Sequence, residues 1–217
     1  MKLKNKIIQI SCDGGAATGK STGAKLIAKK YKLKFLSSGL LYRYAAKLIL
    51  DNSPKNKINF LRSKFKKLNH LRLNKANLHT QEISIFSAKI AKVKEIRKIL
   101  KKYQIDFSKK NKNCCIEGRD ISTKILPNSD VKFFFICSLN IAAKRRFKEL
   151  KKKDSKIKLS DIKKALRMRN ISDINRKNSP LLRHRDSIEI DTGKLNKVAM
   201  VAKMSKFVDK IIKKNGN

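Results

Sequence analysis

A phosphate-binding motif constrains this chain more than any other feature of its sequence. Residues 14–21, Gly14-Gly15-Ala16-Ala17-Thr18-Gly19-Lys20-Ser21, match G-x-x-x-x-G-K-[ST] at each fixed position. An apolar run precedes the motif at 7–12, and residues with helical apolar spacing follow it: Ala24, Ile27, Ala28 and Tyr31. The motif therefore lies between a predicted strand and a predicted helix, as a phosphate-binding loop requires. We call residues 14–21 the P-loop.

The P-loop predicts that the chain binds ATP together with Mg²⁺. Its glycines allow backbone N–H groups to turn inward around phosphates, and the N-terminus of the next helix adds partial positive charge. Lys20 is expected to reach the β- and γ-phosphates, and Ser21 to bind Mg²⁺ directly. Thr22 completes the ATP-binding set. A P-loop alone implies only triphosphate binding, so the acceptor must be identified from other residues.

Strands alternate with helices along the rest of the chain. Further strands are predicted at 33–36, 114–116, 131–137 and 187–191, and helices at 40–50, 81–103, 141–152, 160–170 and 195–211. Residues 131–137 are the most strand-like and predict a central strand covered on both faces. Residues 51–80 lack a clean period and predict a small helical or irregular insertion. The alternation predicts an α/β fold with a parallel, doubly wound sheet in one domain spanning 1–217.

Three polar clusters follow predicted strands or precede the last one. They are Ser38-Gly39-x-x-Tyr42-Arg43, Gly118-Arg119-Asp120, and residues 169–181 with Arg169, Asp173, Asn175, Arg176, Pro180 and Leu181. Because ligands of open α/β sheets gather at the carboxyl ends of the strands, we expect the clusters to meet the P-loop in one crevice. Taken singly, each also fits an ordinary turn, a surface loop or an i, i+4 helix ion pair.

The formal charge of +40 favours a polyanion partner at first sight, since Lys and Arg neutralise phosphates. Lysine supplies 44 of the 56 basic residues, however, and Asn and Ile are also abundant, a pattern typical of an AT-rich genome. The chain has no Trp, only four Tyr, and no interleaved basic and aromatic pattern, so a nucleic-acid-binding P-loop protein is the less favoured alternative. The 12 arginines stand out instead, because a guanidinium binds phosphates and bases bidentately.

Cysteine usage and hydropathy bear on the compartment. The four cysteines lie in or beside apolar runs without C-x-x-C spacing or a nearby His, which predicts buried free thiols. No N-terminal stretch has the pattern of a secretory signal, and no apolar run approaches the length of a membrane span. We expect a cytoplasmic monomer with no membrane partner and no specific nucleic acid.

The sequence resembles the bacterial cytidylate kinase family over nearly its whole length. The segments that carry the resemblance are the P-loop, Ser38 to Arg43, Thr80-Gln81-Glu82, Gly118-Arg119-Asp120 with Thr123 and Pro127, Lys144-Arg145-Arg146, and Asp173 to Leu181. The resemblance implies a core of five parallel strands, a nucleoside-monophosphate-binding insertion at about 37–103, and a short helical lid at about 144–175. It implies transfer of the γ-phosphate of ATP to CMP, and also to dCMP. A UMP or AMP kinase on the same fold is the nearest alternative.

The resemblance also implies roles for individual residues. The catalytic residues would be Lys20, Arg119 and Arg176. The CMP-binding residues would be Ser38, Arg43, Arg119 and Arg176 at the phosphate, Arg169 and Asp173 at the ribose, and Arg97 and Asp120 at the cytosine. Arg145 and Arg146 would contact ATP from the lid, and Glu117 would hold Mg²⁺ through a water. A carboxylate at Asp120 accepts from the exocyclic amine of cytosine but opposes the O4 acceptor of uracil, which makes it the candidate for base choice.

The chain departs from the family pattern in four places. Ser37 stands where the family commonly has Asp, and Glu117 where it has Asp. Ala88, next to Ser87, occupies the position of a base-contacting Ser, which predicts looser cytosine recognition. The insertion at 51–80 is also short, which predicts weaker discrimination between ribose and deoxyribose.

Overall fold

A computed structural model of the chain describes residues 7–151 and 156–214, leaving out the side chains of 74 and 75. The chain divides into two compact units. The first unit comprises 1–35 and 112–217, and the second comprises Leu36–Asn111. The roles assigned above to 37–103 and 144–175 stay predictions.

Five parallel strands form one sheet, which confirms the predicted fold class. They are β1 (Gln9–Gly14), β2 (Lys34–Ser37), β3 (Cys114–Gly118), β4 (Val131–Ile136) and β5 (Ile188–Asp191). Their order is β2-β3-β1-β4-β5, so β1, which leads into the P-loop, is the middle strand. β4 lies between β1 and β5, with Phe133 and Phe135 fully buried and Phe134 half-buried.

The helices follow the predicted alternation with several shifted boundaries. In chain order they are α1 (Lys20–Lys30), α2 (Ser38–Asn52), α3 (Lys57–Lys66), α4 (Arg72–Lys75), α5 (Gln81–Ile90), α6 (Lys94–Lys110), α7 (Leu139–Lys151), α8 (Leu159–Asn175) and α9 (Lys197–Lys214). A five-residue π-helical turn, Ile121–Ile125, follows β3. Within the described residues, no helix is both long enough and apolar enough to cross a membrane.

The core of the first unit is built between the sheet and the helices α1 and α9. The apolar side of α1 is the predicted one, with Ala24, Ile27 and Ala28 buried against β1, β3 and β4. The apolar residues that predict the terminal helix match its buried side only in part; they are Leu195, Val198, Val201, Ala202, Phe207, Val208 and Ile211. Val208 is buried and Leu195, Val201 and Ile211 are partly buried, whereas Val198, Ala202 and Phe207 are exposed. Met200, Met204 and Ile212 complete the buried side of α9.

The α7–α8 hairpin forms a second apolar cluster with the P-loop. Ala16 packs with Ala142 and Ala143 of α7 and with Ile162 and Leu166 of α8. The sequence predicts this helix at about 160–170 with Ser160 as a plausible N-cap; α8 begins one residue earlier and ends five residues later. Its N-cap is Lys158, without a side-chain cap bond, and the helix continues to Asn175. The predicted residue 152 at the end of α7 and Asp154 in the connection lie outside the described residues.

The second unit is helical. The stretch 51–80, predicted to be helical or irregular, contains α3 and α4, and Asn56 caps α3 by accepting from the Asn59 N–H at 3.0 Å. The single helix predicted at 81–103 is instead two helices, because Val93 is extended and the chain tightens into short-range hydrogen bonds after Ile90. Phe65 of α3 meets the Tyr103 ring of α6 edge-on, with 5.8 Å between ring centroids. Aromatic contacts thus close the core of this unit.

Candidate active site

The P-loop is held in shape by glycines at its two ends. Gly14 has a φ of +152°, and a Cβ there would collide with the carbonyl oxygen of Phe135 in β4. Gly19, with a φ of +81°, lies in the left-handed region and is the N-cap of α1. Ser21 and Thr22 are exposed in the first turn of that helix. A glycine-rich loop that runs into a helix N-terminus is the arrangement in which backbone N–H groups bind phosphates, so phosphate binding here stays the prediction made from the sequence.

Lys20 is buried, with 6% of its surface exposed, beneath the P-loop. Its Nζ donates to the Gly15 carbonyl at 3.3 Å and lies 3.8 Å from Oε2 of the buried Glu117 at the end of β3. Burial first and the charge of Arg119 second lower the pKa of Lys20, while Glu117 opposes the shift, and the net result is a pKa of about 7. A bound phosphate would add negative charge beside the Lys20 amine and so favour its protonated form.

Asp13, which the sequence reasoning missed, is fully buried at the end of β1. Its carboxylate accepts from the Ile121 N–H at 2.8 Å and from the Ser122 N–H and hydroxyl at 2.7 and 2.6 Å. Burial raises the pKa of Asp13 to about 6, although these hydrogen bonds favour the ionised form. Asp13 therefore fixes the turn that follows Arg119 and Asp120.

Four charged residues of the predicted acceptor site form one network in the first unit. Arg119 Nε donates to Asp173 Oδ2 at 2.9 Å, and Arg176 Nη1 donates to Asp173 Oδ1 at 3.2 Å. Arg176 Nη2 also lies 4.0 Å from Asp120 Oδ1. Burial opposes ionisation of Asp173, but the charges of Arg119, Arg169 and Arg176 outweigh it and hold its pKa below the usual value. Asp173 thereby orients two guanidinium groups at once.

The two predicted lid arginines have different surroundings. Arg145 Nη1 donates to the Thr192 hydroxyl at 2.8 Å and Nη2 to its carbonyl at 2.6 Å, and the Thr192 hydroxyl donates to the Thr18 carbonyl at 2.7 Å. Arg145 is thus tied to the P-loop through Thr192, which the sequence reasoning also missed. Arg146 instead pairs with the exposed Glu149 at 3.0 Å, one turn along α7.

The predicted CMP-binding residues of the second unit are also held in place. Arg43 Nη1 donates to the Leu78 carbonyl at 2.8 Å and to the Ser84 hydroxyl at 2.7 Å. Arg97 donates to the Ala91 carbonyl at 3.1 Å and stacks over the Tyr42 ring at 5.5 Å. The buried Ser38 begins α2. These contacts fix the two guanidinium groups before a ligand binds.

The positions that depart from the family pattern have structural partners of their own. Ser37 is the N-cap of α2 and accepts from the Leu40 N–H at 3.2 Å. Ser87 turns its hydroxyl toward the Ser84 carbonyl at 2.8 Å, and its neighbour Ala88 is half-buried. Ser37 thus serves as a helix cap, a role for which Asp is equally suited.

Fold and site together define a P-loop kinase: a parallel sheet whose middle strand leads into the phosphate loop, with Arg119 and Arg176 both paired to Asp173 in the same unit. The cytidylate kinase family model matches residues 10–210. The chain is 37% identical to a cytidylate kinase of Bartonella tribocorum over 94% of this chain and 95% of the relative. It is 32% identical to one of Flavobacterium johnsoniae, over 96% and 99%. The chain belongs to the cytidylate kinase family.

Two solved structures share the fold at low sequence identity. An uncharacterized protein of Eubacterium ventriosum has a TM-score of 0.52 at 17% identity, covering 94% of this chain and 99% of its own. A protein of Thermus thermophilus has the same TM-score at 12% identity, covering 95% and 98%. At these identities the likeness concerns the fold alone.

Proposed function

We propose that this protein is a cytidylate kinase that transfers the γ-phosphate of ATP to CMP, and to dCMP, giving CDP or dCDP and ADP. The observation that carries the proposal is the ion-pair network of Arg119, Asp173 and Arg176. This network lies near the P-loop, since the charge of Arg119 lowers the pKa of Lys20. A phosphate-binding lysine and two oriented arginines together suit a donor and an acceptor phosphate. Relatives covering nearly the whole chain are named cytidylate kinases.

In the reaction, an oxygen of the CMP phosphate forms a bond to the γ-phosphorus as the bond from that phosphorus to the β–γ bridging oxygen breaks. The acceptor is already ionised, so no general base is needed, and catalysis consists of alignment and charge stabilisation. Lys20, Arg119 and Arg176 stabilise the negative charge of the phosphoryl group in transfer. The P-loop from Gly14 to Ser21, with Thr22 and Arg145, binds ATP, and closure of a lid bearing Arg146 would exclude water.

The roles in acceptor recognition are those that the family resemblance implies. Arg169 and Asp173 would contact the ribose, and Asp120 would accept from the exocyclic amine of cytosine. Ser38 and Arg43 would bind the phosphate and Arg97 would contact the base. The hydrogen bonds that hold Arg43 and Arg97 support these assignments, since a pre-oriented guanidinium loses less freedom on binding.

The chain also offers oxygen ligands that fit Mg²⁺. The Ser21 hydroxyl is exposed at the start of α1, and Glu117 is a buried carboxylate beside Lys20. A hydroxyl and a single carboxylate suit a cation that keeps several waters and binds phosphate oxygens. Bound Mg²⁺ would supply charge neutralisation at the β- and γ-phosphates. Monomeric state and cytoplasmic location stay predictions from the sequence.

An acceptor panel tests the proposal. With Mg²⁺-ATP, purified protein is expected to release ADP faster with CMP than with UMP or AMP. A coupled assay measures the rate of ADP release. Equal or higher kcat/KM with AMP would refute the cytidylate assignment. The Lys20→Ala variant, checked for folding by circular dichroism, is expected to lose most turnover and serves as the blank.

A further inference from the structure

Asn170 joins the P-loop to helix α8. Its Oδ1 accepts a hydrogen bond from the Ala16 N–H at 3.0 Å, across 154 residues of sequence. A Cβ on Gly15 would lie 3.2 Å from this oxygen, tighter than an ordinary contact, so the glycine allows the close approach. Asn170 was not among the residues predicted to be functional.

The peptide group that Asn170 contacts also holds Lys20. The Gly15 carbonyl, which accepts from Lys20 Nζ at 3.3 Å, and the Ala16 N–H belong to the same planar peptide unit. Since the unit is rigid, the Asn170 bond fixes the direction in which its carbonyl points. By fixing the Gly15 carbonyl, the side chain of Asn170 helps to set the position of the Lys20 ammonium.

The other end of this connection lies at the acceptor residues. Arg169 precedes Asn170 on α8, and Asp173 follows three residues later, where it holds Arg119 and Arg176. Ala16 also belongs to the same apolar cluster as Ile162 and Leu166 of this helix. One hydrogen bond and one apolar cluster thus join α8 to the P-loop.

We propose that Asn170 is a positioning residue for phosphoryl transfer: it sets the alignment between the peptide that holds Lys20 and the helix that carries Arg169 and Asp173. The inference rests on the proposed function. Transfer between two bound nucleotides depends steeply on the distance and angle between donor and acceptor, so a loosened helix lowers the rate of transfer more than the binding of either ligand. A ligand that orders this connection also makes the second ligand bind more tightly.

Two variants of similar size to asparagine separate this role from simple packing. Asn170→Leu removes the acceptor oxygen, whereas Asn170→Asp retains an oxygen in the same place and adds a charge. Met168→Ala, at a residue that is 60% exposed on the same helix, is the matched control. Should the leucine variant fail to fold by circular dichroism, Asn170→Ala replaces it.

The experiment measures ADP and CMP binding by titration calorimetry, separately and together, with kcat and KM for CMP. Wild type is expected to bind CMP about fivefold more tightly when ADP is present. Asn170→Leu should bind each nucleotide alone within about threefold of wild type, lose this coupling, and lose about tenfold or more in kcat. Asn170→Asp should bind ADP more weakly, because its charge faces the phosphates, yet recover the coupling and most of kcat.

The inference is overturned if wild type binds both nucleotides without coupling, if the leucine variant keeps coupling and kcat, or if the aspartate variant recovers neither. A fall in ADP affinity alone in the leucine variant, with kcat unchanged, would also overturn it, since only the P-loop would then be affected. Failure of wild-type protein to bind or phosphorylate CMP would instead refute the proposed function, so the two failures are distinguishable.

Discussion

The depressed pKa of Lys20 predicts that nucleotide affinity falls steeply as pH rises above 7. In the ligand-free protein, burial and the charge of Arg119 hold this pKa at about 7. With phosphates bound, the ammonium gains anionic partners and its pKa should return toward the ordinary value of 10.5. Binding therefore takes up a proton wherever the free protein is deprotonated.

The magnitude follows from these two pKa values. From pH 7 to pH 9 the neutral fraction of Lys20 in the free protein rises from about half to nearly all, so the Kd for ADP should rise on the order of 50-fold, or roughly 2 kcal/mol. The last ionisation of the phosphate itself, with a pKa of about 6, is nearly complete at the start of this range. For folding, the native state binds fewer protons than the unfolded chain between about pH 7 and 10.5, so the contribution of Lys20 to stability increases with pH there.

Titration calorimetry with ADP from pH 6.5 to 9 at constant ionic strength measures the effect. Runs at pH 8 in buffers of different ionisation enthalpy should show uptake of nearly one proton. Lys20→Gln, which has no titrating group, is the control and should bind weakly with little pH dependence. A wild-type Kd that changes less than about threefold between pH 7 and 9, or an equal pH dependence in Lys20→Gln, would show that protonation of Lys20 is not coupled to ADP binding.

Three further predictions concern single residues. Asp120→Asn should narrow the CMP over UMP preference in kcat/KM by about tenfold, because an amide can donate to the uracil O4, and unchanged selectivity would remove Asp120 from base choice. Asp13→Ala should lower the free energy of unfolding in urea by about 2 to 4 kcal/mol, since two buried N–H groups lose their acceptor. A change below about 0.5 kcal/mol would show that Asp13 does not fix the turn after Asp120. Arg145→Ala should raise KM for ATP several-fold more than Arg146→Ala, because Arg145 is tied to the P-loop by Thr192, and equal effects would argue against that connection.

The parts of the fold that sequence could predict are those with local signals. The P-loop, its flanking strand and helix, and the apolar run of β4 carry fixed spacings or strong propensities. The break between α5 and α6 left no such signal, since Val93 is neither Gly nor Pro. On α9 the apolar residues surround more of the helix than is buried, so only packing against the sheet selects the methionine side.

The residues of the candidate site also divide into those that local sequence signals predict and those that they do not. Residues within recognisable clusters, such as Arg119 and Asp173, could be proposed from sequence. Asp13, Asn170 and Thr192 could not, because each acts through partners more than 100 residues away along the chain. A buried carboxylate directly before the P-loop is the one signal that would have indicated Asp13, since buried charges need partners.

Transfer of the γ-phosphate of ATP to CMP is tested most directly by following the phosphoryl group itself. ATP labelled at the γ-phosphorus is incubated with Mg²⁺, CMP and the purified protein, and the labelled products are separated by ion-exchange chromatography. A cytidylate kinase should place the label in CDP, at a rate well above that of labelled UDP or ADP formed from UMP or AMP. Label found only in inorganic phosphate, or reaching ADP from AMP faster than it reaches CDP, would contradict this function.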